Sequence, residues 1–428
     1  MSLGLRLIAK LHSPALSQDA LFNRIEQWIR HLYSEMLPKV RLGQVELAPA
    51  LFCGLHPAAE EIEIALVDSE HIVVSANTTT AGPGYHMFLT GLLQDLAREL
   101  HASWNAEENS SDEYSDETDY FFTGDSKMLH QHMNWWLQAL AGTFFDGTFD
   151  SDSRGIALCM PMNPHFETEQ PALTPTGPRS WDWLQKTAQD GSKGNDFFAW
   201  PTAGFNAEYY LGRALVQMWT DVRWRAPIND SERSHARDVA YCLDCAFRLD
   251  SSLPFPWAEW REILGFLGEV PDEKIALPLM APEVEPIGYR RKDVGVTLPG
   301  GWRMTVPGSF ADFEPDNDGD LCAVDPPREI WFTAYRRPAN LSVDHFEGAR
   351  NEVKKSHPDH LIDLEDYFAT AKNTRKATAT TKTYFVLNSS CETTSSRAVC
   401  TIVFSDPKQT DWALKAWQSI QPPPTRTS

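Results

Sequence analysis

Apolar residues alternate with polar ones, or recur every three to four positions, in a clear order along the chain. Leu5–Leu11 is a short apolar run that predicts a first strand. Ser17 is a ready N-cap, and Leu21, Ile25, Trp28 and Leu32 follow at helical spacing until Pro38. Ile62–Val67 and Ile72–Ser75 predict two strands joined by a polar turn. Next, Thr78–His86 opens a second helix whose buried face is Tyr85, Leu89, Leu92, Leu96 and Leu100. Strand, helix, strands and helix in that order predict an N-terminal α+β subdomain over 1–105.

From 106 to 275 the pattern becomes helical and aromatic, with helices expected at Met128–Leu140, Phe205–Trp224 and Ser234–Leu249. Prolines 278, 282 and 286 mark a linker over 276–289. Beyond it the period is two. Trp302, Met304 and Val306 alternate with Arg303 and Thr305, which predicts a half-buried strand. Asp316–Asp320 predicts a hairpin turn, since Asp-Gly supplies the positive φ angles that a tight turn requires. Strand Ile330–Tyr335, helix Ser342–Lys355, a meander through Leu361–Thr370, Lys382–Leu387 and Ala398–Phe404, and a last helix at Thr410–Ile420 complete a C-terminal domain over 290–422. Residues 423–428 read as a disordered tail. The expected class is α+β, with a Trp-rich helical extension between two sheet-bearing regions.

The order opened by "LPGGWRMTVPGSF" and closed by "TDWALKAWQSI" resembles the PsbP-like α/β/α sandwich, with the DcrB-like proteins and the effector-associated chaperones of type VI secretion in the same group. The resemblance spans about residues 290–422. It implies a non-enzymatic binding or chaperone role, and it carries no functional residue over to this sequence.

Charge divides the chain differently from pattern. Residues 1–285 hold 20 Lys+Arg against 41 Asp+Glu, whereas residues 286–428 hold 18 of each. Glu99–Asp152 alone contains 12 acids and the single base Lys127. Such a field repels phosphate backbones and anionic lipids and attracts basic proteins. Nucleic acid is therefore excluded as a partner, and no apolar run approaches the ~18 residues that a membrane span needs. Arg6 and Lys10 interrupt what would be a signal core, and seven scattered cysteines argue against a disulfide framework, so a cytoplasmic location is expected.

Few residues suggest chemistry. Glu107, Glu108, Asp112, Glu113, Asp116, Glu117 and Asp119 form a run expected to be a solvated, mobile loop and a docking surface for a basic protein. The turn containing Gly82, Gly84, Tyr85 and His86 sits between strand and helix, where backbone N–H groups could cradle an anion. It is neither a P-loop nor a dinucleotide fingerprint, and a tight turn that starts the helix is the favoured explanation. His130 and His132 stand two apart and do not share a helix face, but with nearby acids they offer an alternative metal site. Cys242 and Cys245 form a C-x-x-C inside a helical pattern, which favours core cysteines. Trp181, Trp183, Trp200, Trp219 and Trp224 fit a core better than a groove. No serine or cysteine hydrolase motif is present. The function expected is a binding protein, of the immunity-protein or secretion-chaperone type, that meets a basic partner without a cofactor. The alternative is a metal-dependent hydrolase built on His86, His130, His132 and nearby acids.

Overall fold

The computed structural model describes residues 3–12, 17–33, 36, 38–45, 48–111, 113–146, 156–157, 166–167, 171–271, 289–310, 314–315, 320–337, 343–356, 358–364, 366–377 and 383–423. The expected linker, all but its last residue, and the Asp316–Gly319 turn lie outside them, as do residues 424–428. The chain forms two compact units. The first gathers 1–161, 170–222 and 233–287, and the second gathers 162–169, 223–232 and 288–428. The two subdomains expected over 1–105 and 106–275 thus belong largely to one unit.

In the first unit, β1 (Gly4–Leu11), β2 (Lys39–Val45), β3 (Ala48–Gly54), β4 (Ile62–Leu66), β5 (His71–Asn77) and β6 (Ala102–Trp104) form an antiparallel sheet in the order β2-β3-β4-β5-β1-β6. Helices α1 (Gln18–Leu32) and α2 (Pro83–Leu100) share one core with it. Strand alternation turns Leu5, Leu7, Ile62, Ile64, Ile72 and Val74 into that core. The α2 stripe from Tyr85 to Leu100 is buried as its spacing predicts. Ser17 caps α1, its hydroxyl accepting from the Ala20 N–H. Leu32, at the last position of α1, is exposed, and Phe22 and Ile29 contribute to the buried face instead.

The acidic segment is structured rather than loose. Its strand β7 (Ser115–Asp116) pairs with β1, and the Asn109 amide both donates to Ile8 O and accepts from Ile8 N. An amide that satisfies both backbone groups of one residue fixes the loop as an added strand would. After α3 (Tyr120–Thr123) and α4 (Ser126–Gly142) come four short strands, β8 (Ile156–Ala157), β9 (Phe166–Glu167), β10 (Ala172–Thr174) and β11 (Gly177–Arg179). Of these, β8, β10 and β11 make a small sheet. Helices α5 (Trp181–Gln189), α6 (Ala207–Thr220), α7 (Asp230–Leu249) and α8 (Trp257–Leu267) follow.

In the second unit, β12 (Asp293–Thr297) pairs with β13 (Arg303–Pro307) on one side and β9 on the other. Strands β14 (Glu314–Pro315), β15 (Leu321–Asp325), β16 (Arg328–Arg336), β17 (His360–Leu364), β18 (Tyr367–Ala377), β19 (Thr383–Thr393) and β20 (Ser396–Phe404) form an antiparallel sheet ordered β14-β15-β16-β20-β19-β18-β17. The stretch Leu361–Thr370, read from sequence as one strand, contributes to the two paired strands β17 and β18. Tyr367 faces a core shared with Trp302, Met304 and Val306 and with α10 (Thr410–Gln418) through Ala413 and Trp417. Phe368, one position on, points to the other face and meets Phe346 of α9 (Val343–Lys355) at 5.3 Å between ring centroids. Helices therefore cover both faces of the sheet.

Candidate functional site

The sequence offers Gly82–His86 as an anion cradle against the favoured explanation of a tight turn, and the structure closes it. Gly82 adopts φ +104°, and a Cβ there would lie 2.6 Å from the Phe198 side chain. At Gly84 a Cβ would lie 2.3 Å from Thr202 O. The N–H groups are committed as well: Gly82 donates to Thr78 O, Gly84 to Trp200 O and His86 to Gly82 O. Tyr85 is buried against Trp200, with burial pushing its phenol up. Close packing against 198–202, not ligand binding, explains these glycines.

His86 holds the acidic segment in place. Its Nδ1 lies 2.8 Å from Thr78 Oγ1, and its Nε2 lies 3.1 Å from Asp116 Oδ2 and 3.2 Å from Thr118 Oγ1. Asp116 also accepts from the Thr118 and Phe121 N–H groups. Burial pushes the Asp116 carboxyl up, but these hydrogen bonds and the His86 charge carry it below the ordinary carboxylate value. A hydroxyl, an imidazole and a carboxylate in line have the order of a catalytic triad. Thr78 and His86 nevertheless have no exposed surface, and Asp116 has 4%. The network is a strut. Asp116, expected on a docking surface, is corrected to a buried anchor.

Its neighbours are differently placed. Glu113 and Glu117 line a groove of about 590 Å³ together with Glu60, Glu61 and Glu63. The floor is a row of paired strand positions, Glu63 opposite Ser75, Ser75 opposite Arg6, and Arg6 opposite Ser115. Glu117 accepts from the Gly4 N–H at 2.7 Å, and Glu61 pairs with Arg41. Among the described residues Arg6 is the single basic residue in the lining. Five carboxylates from two stretches fifty residues apart thus share one concavity, which concentrates negative potential. Of the other predicted acids, Glu107, Glu108 and Asp119 are exposed but outside this lining, and Asp112 lies outside the described residues. The sheet-side glutamates were not singled out from sequence, although Glu60-Glu61-Ile62-Glu63-Ile64 carries the alternation that projects Glu63 away from the core.

The histidine alternative does not assemble. His130 Nδ1 contacts Ser126 O within its own helix, the His132 ring lies tilted against Trp135, and His86 is enclosed. Among the described residues no group of three or more His, Cys, Asp or Glu is placed to hold a metal ion. Cys242 is buried, as are Trp200, Trp219 and Trp224, whereas Trp181 is half exposed beside Phe144 and Phe145.

A second concavity of the same unit was not foreseen. It measures about 450 Å³ and lies where the loop after β3 meets α6 and α7. Arg213 donates to Leu55 O at 3.2 Å, Met36 O at 3.1 Å and Asp238 Oδ2 at 3.1 Å, and Gln217 Nε2 donates to Asp238 Oδ2 at 2.5 Å. Burial works against the Arg213 charge, and Asp238 with Tyr209 more than restores it. His56 Nδ1 accepts from the Ala58 N–H, while burial and then Arg213 drive its pKa well below the usual value. His56 Nε2 and Gln217 Oε1 are buried without a protein hydrogen-bond partner. Each orphan of this kind costs about 1–3 kcal/mol.

No family model matches the chain, and no curated protein does. Among solved structures, a crystal structure from Bacteroides thetaiotaomicron is similar over 31% of this chain and 48% of its own, at 15% identity and a TM-score of 0.25. The match therefore spans about half of that structure's chain. Among the described residues no helix is long and apolar enough to cross a membrane.

Proposed function

We propose that the chain is a non-enzymatic binding protein that captures a basic protein partner in the groove formed by Glu60, Glu61, Glu63, Glu113 and Glu117. The observation that carries this reading is their convergence from two separate segments around one lining base, Arg6. The groove narrows the expected surface to Glu113 and Glu117 of the acidic run and adds three glutamates at and before β4. A rigid sheet floor presents these carboxylates at fixed spacing, and the His86–Asp116 strut holds their loop. Charge complementarity of this kind sets partner choice and speeds encounter more than it deepens affinity. The C-terminal unit, whose residues 288–428 hold 18 bases and 18 acids and are likened in sequence to the PsbP-like group, serves as scaffold. An immunity protein or a secretion-associated chaperone in the cytoplasm is the role that suits such a surface.

The test uses a hexa-arginine peptide as probe and calorimetry on the full chain. The variant Glu60→Gln, Glu63→Gln, Glu113→Gln, Glu117→Gln is compared with Asp95→Asn, Asp182→Asn, Glu208→Gln, Asp244→Asn, which changes net charge equally elsewhere. At about 0.2–1 kcal/mol per exposed pair, the groove variant should bind roughly tenfold more weakly or worse, and the control should bind nearly as well as the parent. Equal losses in both would mean that net charge, not this groove, attracts the peptide.

A further inference from the structure

We propose that the outward face of α4 is a second docking surface, and that it takes a basic amphipathic helix of another protein laid along it. One side of α4 carries Leu129, Met133, Trp136, Leu137 and Ala141, which are buried and share a core with Leu184 and Phe197. With about 3.6 residues per turn, the opposite side runs through Met128, Trp135, Ala139 and Gly142, with Gln131 and His132 beside them. The first side serves the fold. The second holds large apolar groups in water: Trp135 is 52% exposed and Met128 is 40% exposed. The His132 ring lies tilted against the indole, 5.5 Å between centroids, and braces it in that position.

The shape and charge of this face select its occupant. Met128 to Gly142 spans roughly 20 Å at about 1.5 Å per residue, the length of a helix of about four turns. Towards the C-terminal end Ala139 is exposed, and a Cβ on Gly142 would meet nothing within 4 Å, so a second helix can approach closely there. Trp135, midway, is the kind of residue that anchors such contacts. Helix α4 lies inside Glu99–Asp152, which holds 12 acids against the single base Lys127. Exposed acids stand beyond both its ends, Asp119 and Asp125 before it and Asp146 after it. A second copy laying its own α4 here would bring the same acids to the face, and an anionic lipid surface would be repelled as well. A helix with apolar residues on one side and lysines or arginines flanking them matches both the stripe and the charge. None of the five groove glutamates belongs to α4, so this surface stands or falls separately from the groove.

The experiment is fluorescence anisotropy on the full chain with a dye-labelled peptide of leucine and lysine whose leucines share one helix face. A peptide of the same composition with its leucines scattered serves as control. The patterned peptide should bind, and the scattered one should bind roughly tenfold more weakly. The variant Met128→Gln, Trp135→Gln should lose roughly tenfold or more in affinity for the patterned peptide, and because both positions are exposed it should keep its fold. The four-glutamine groove variant should bind that peptide within about threefold of the parent. No binding of the patterned peptide, equal binding of the two peptides, or undiminished binding by the α4 variant would overturn the assignment. Loss confined to the groove variant would overturn it too, while leaving the groove standing as the site for a basic partner.

Discussion

Replacing Asp238 with Ala is expected to destabilise the N-terminal unit by about 3–5 kcal/mol, the range for stripping one partner from a buried ion pair. Arg213 and Asp238 have only 7% of each side chain exposed. Without the carboxylate, a guanidinium is left in a poorly hydrated site and Gln217 Nε2 loses its acceptor. At a urea dependence of about 1–3 kcal/mol per molar, the unfolding midpoint should fall by more than about 1 M. Asp238→Asn keeps a hydrogen-bond acceptor and should lose less. The pair Arg213→Met with Asp238→Leu removes both charges and should recover much of the deficit. A loss below about 1 kcal/mol in Asp238→Ala would mean that water reaches the pair and screens it.

Acid should weaken the same unit through His56. Its folded pKa lies well below the unfolded value of about 6.5, with burial as the larger cause and Arg213 as the smaller. Below about pH 6.5 the unfolded chain therefore binds a proton that the folded chain refuses. Stability is fully present above that pH and declines as pH falls, by up to about 1.4 kcal/mol per pH unit, until the folded pKa is reached. His56→Gln has no such proton to bind. Subtracting its urea-derived stabilities at pH 7 and pH 5 from those of the parent should reveal a difference of up to about 2 kcal/mol. Parallel pH profiles would show that His56 accepts a proton in the folded state.

The C-terminal unit was the more legible from sequence, for a physical reason. Its period-two strands bury one face only, so Trp302, Met304 and Val306 betray their side by alternation. Even there Leu361–Thr370 concealed a hairpin, because residues 365–366 include neither Gly nor Pro. In the N-terminal unit the stripe of α2 was plain, whereas β2 and β3 were not. Lys39–Val45 is an edge strand with Arg41, Leu42 and Gln44 partly or fully exposed, and an edge strand shows weak contrast between its faces.

The proposed acidic surface was half legible. Composition identified the acidic segment, but only tertiary pairing separates Asp116, drawn beneath His86, from Glu113 and Glu117 at the groove. Thirty positions separate His86 from Asp116, and no local period signals a bond at that distance. The cleft was opaque for a similar reason. Arg213 and Gln217 lie one turn apart on an otherwise apolar helix face, and their role depends on Asp238 of α7 and the loop after β3.

The groove glutamates are expected to act as one electrostatic surface. Stopped-flow association of a dye-labelled hexa-arginine peptide with the full chain, from low to physiological salt, measures this directly. For the parent chain the association rate should fall by roughly tenfold as the Debye length shrinks to ~8 Å. The four-glutamine groove variant should begin slower and stay nearly flat. A variant whose rates and salt dependence overlay those of the parent would contradict the account.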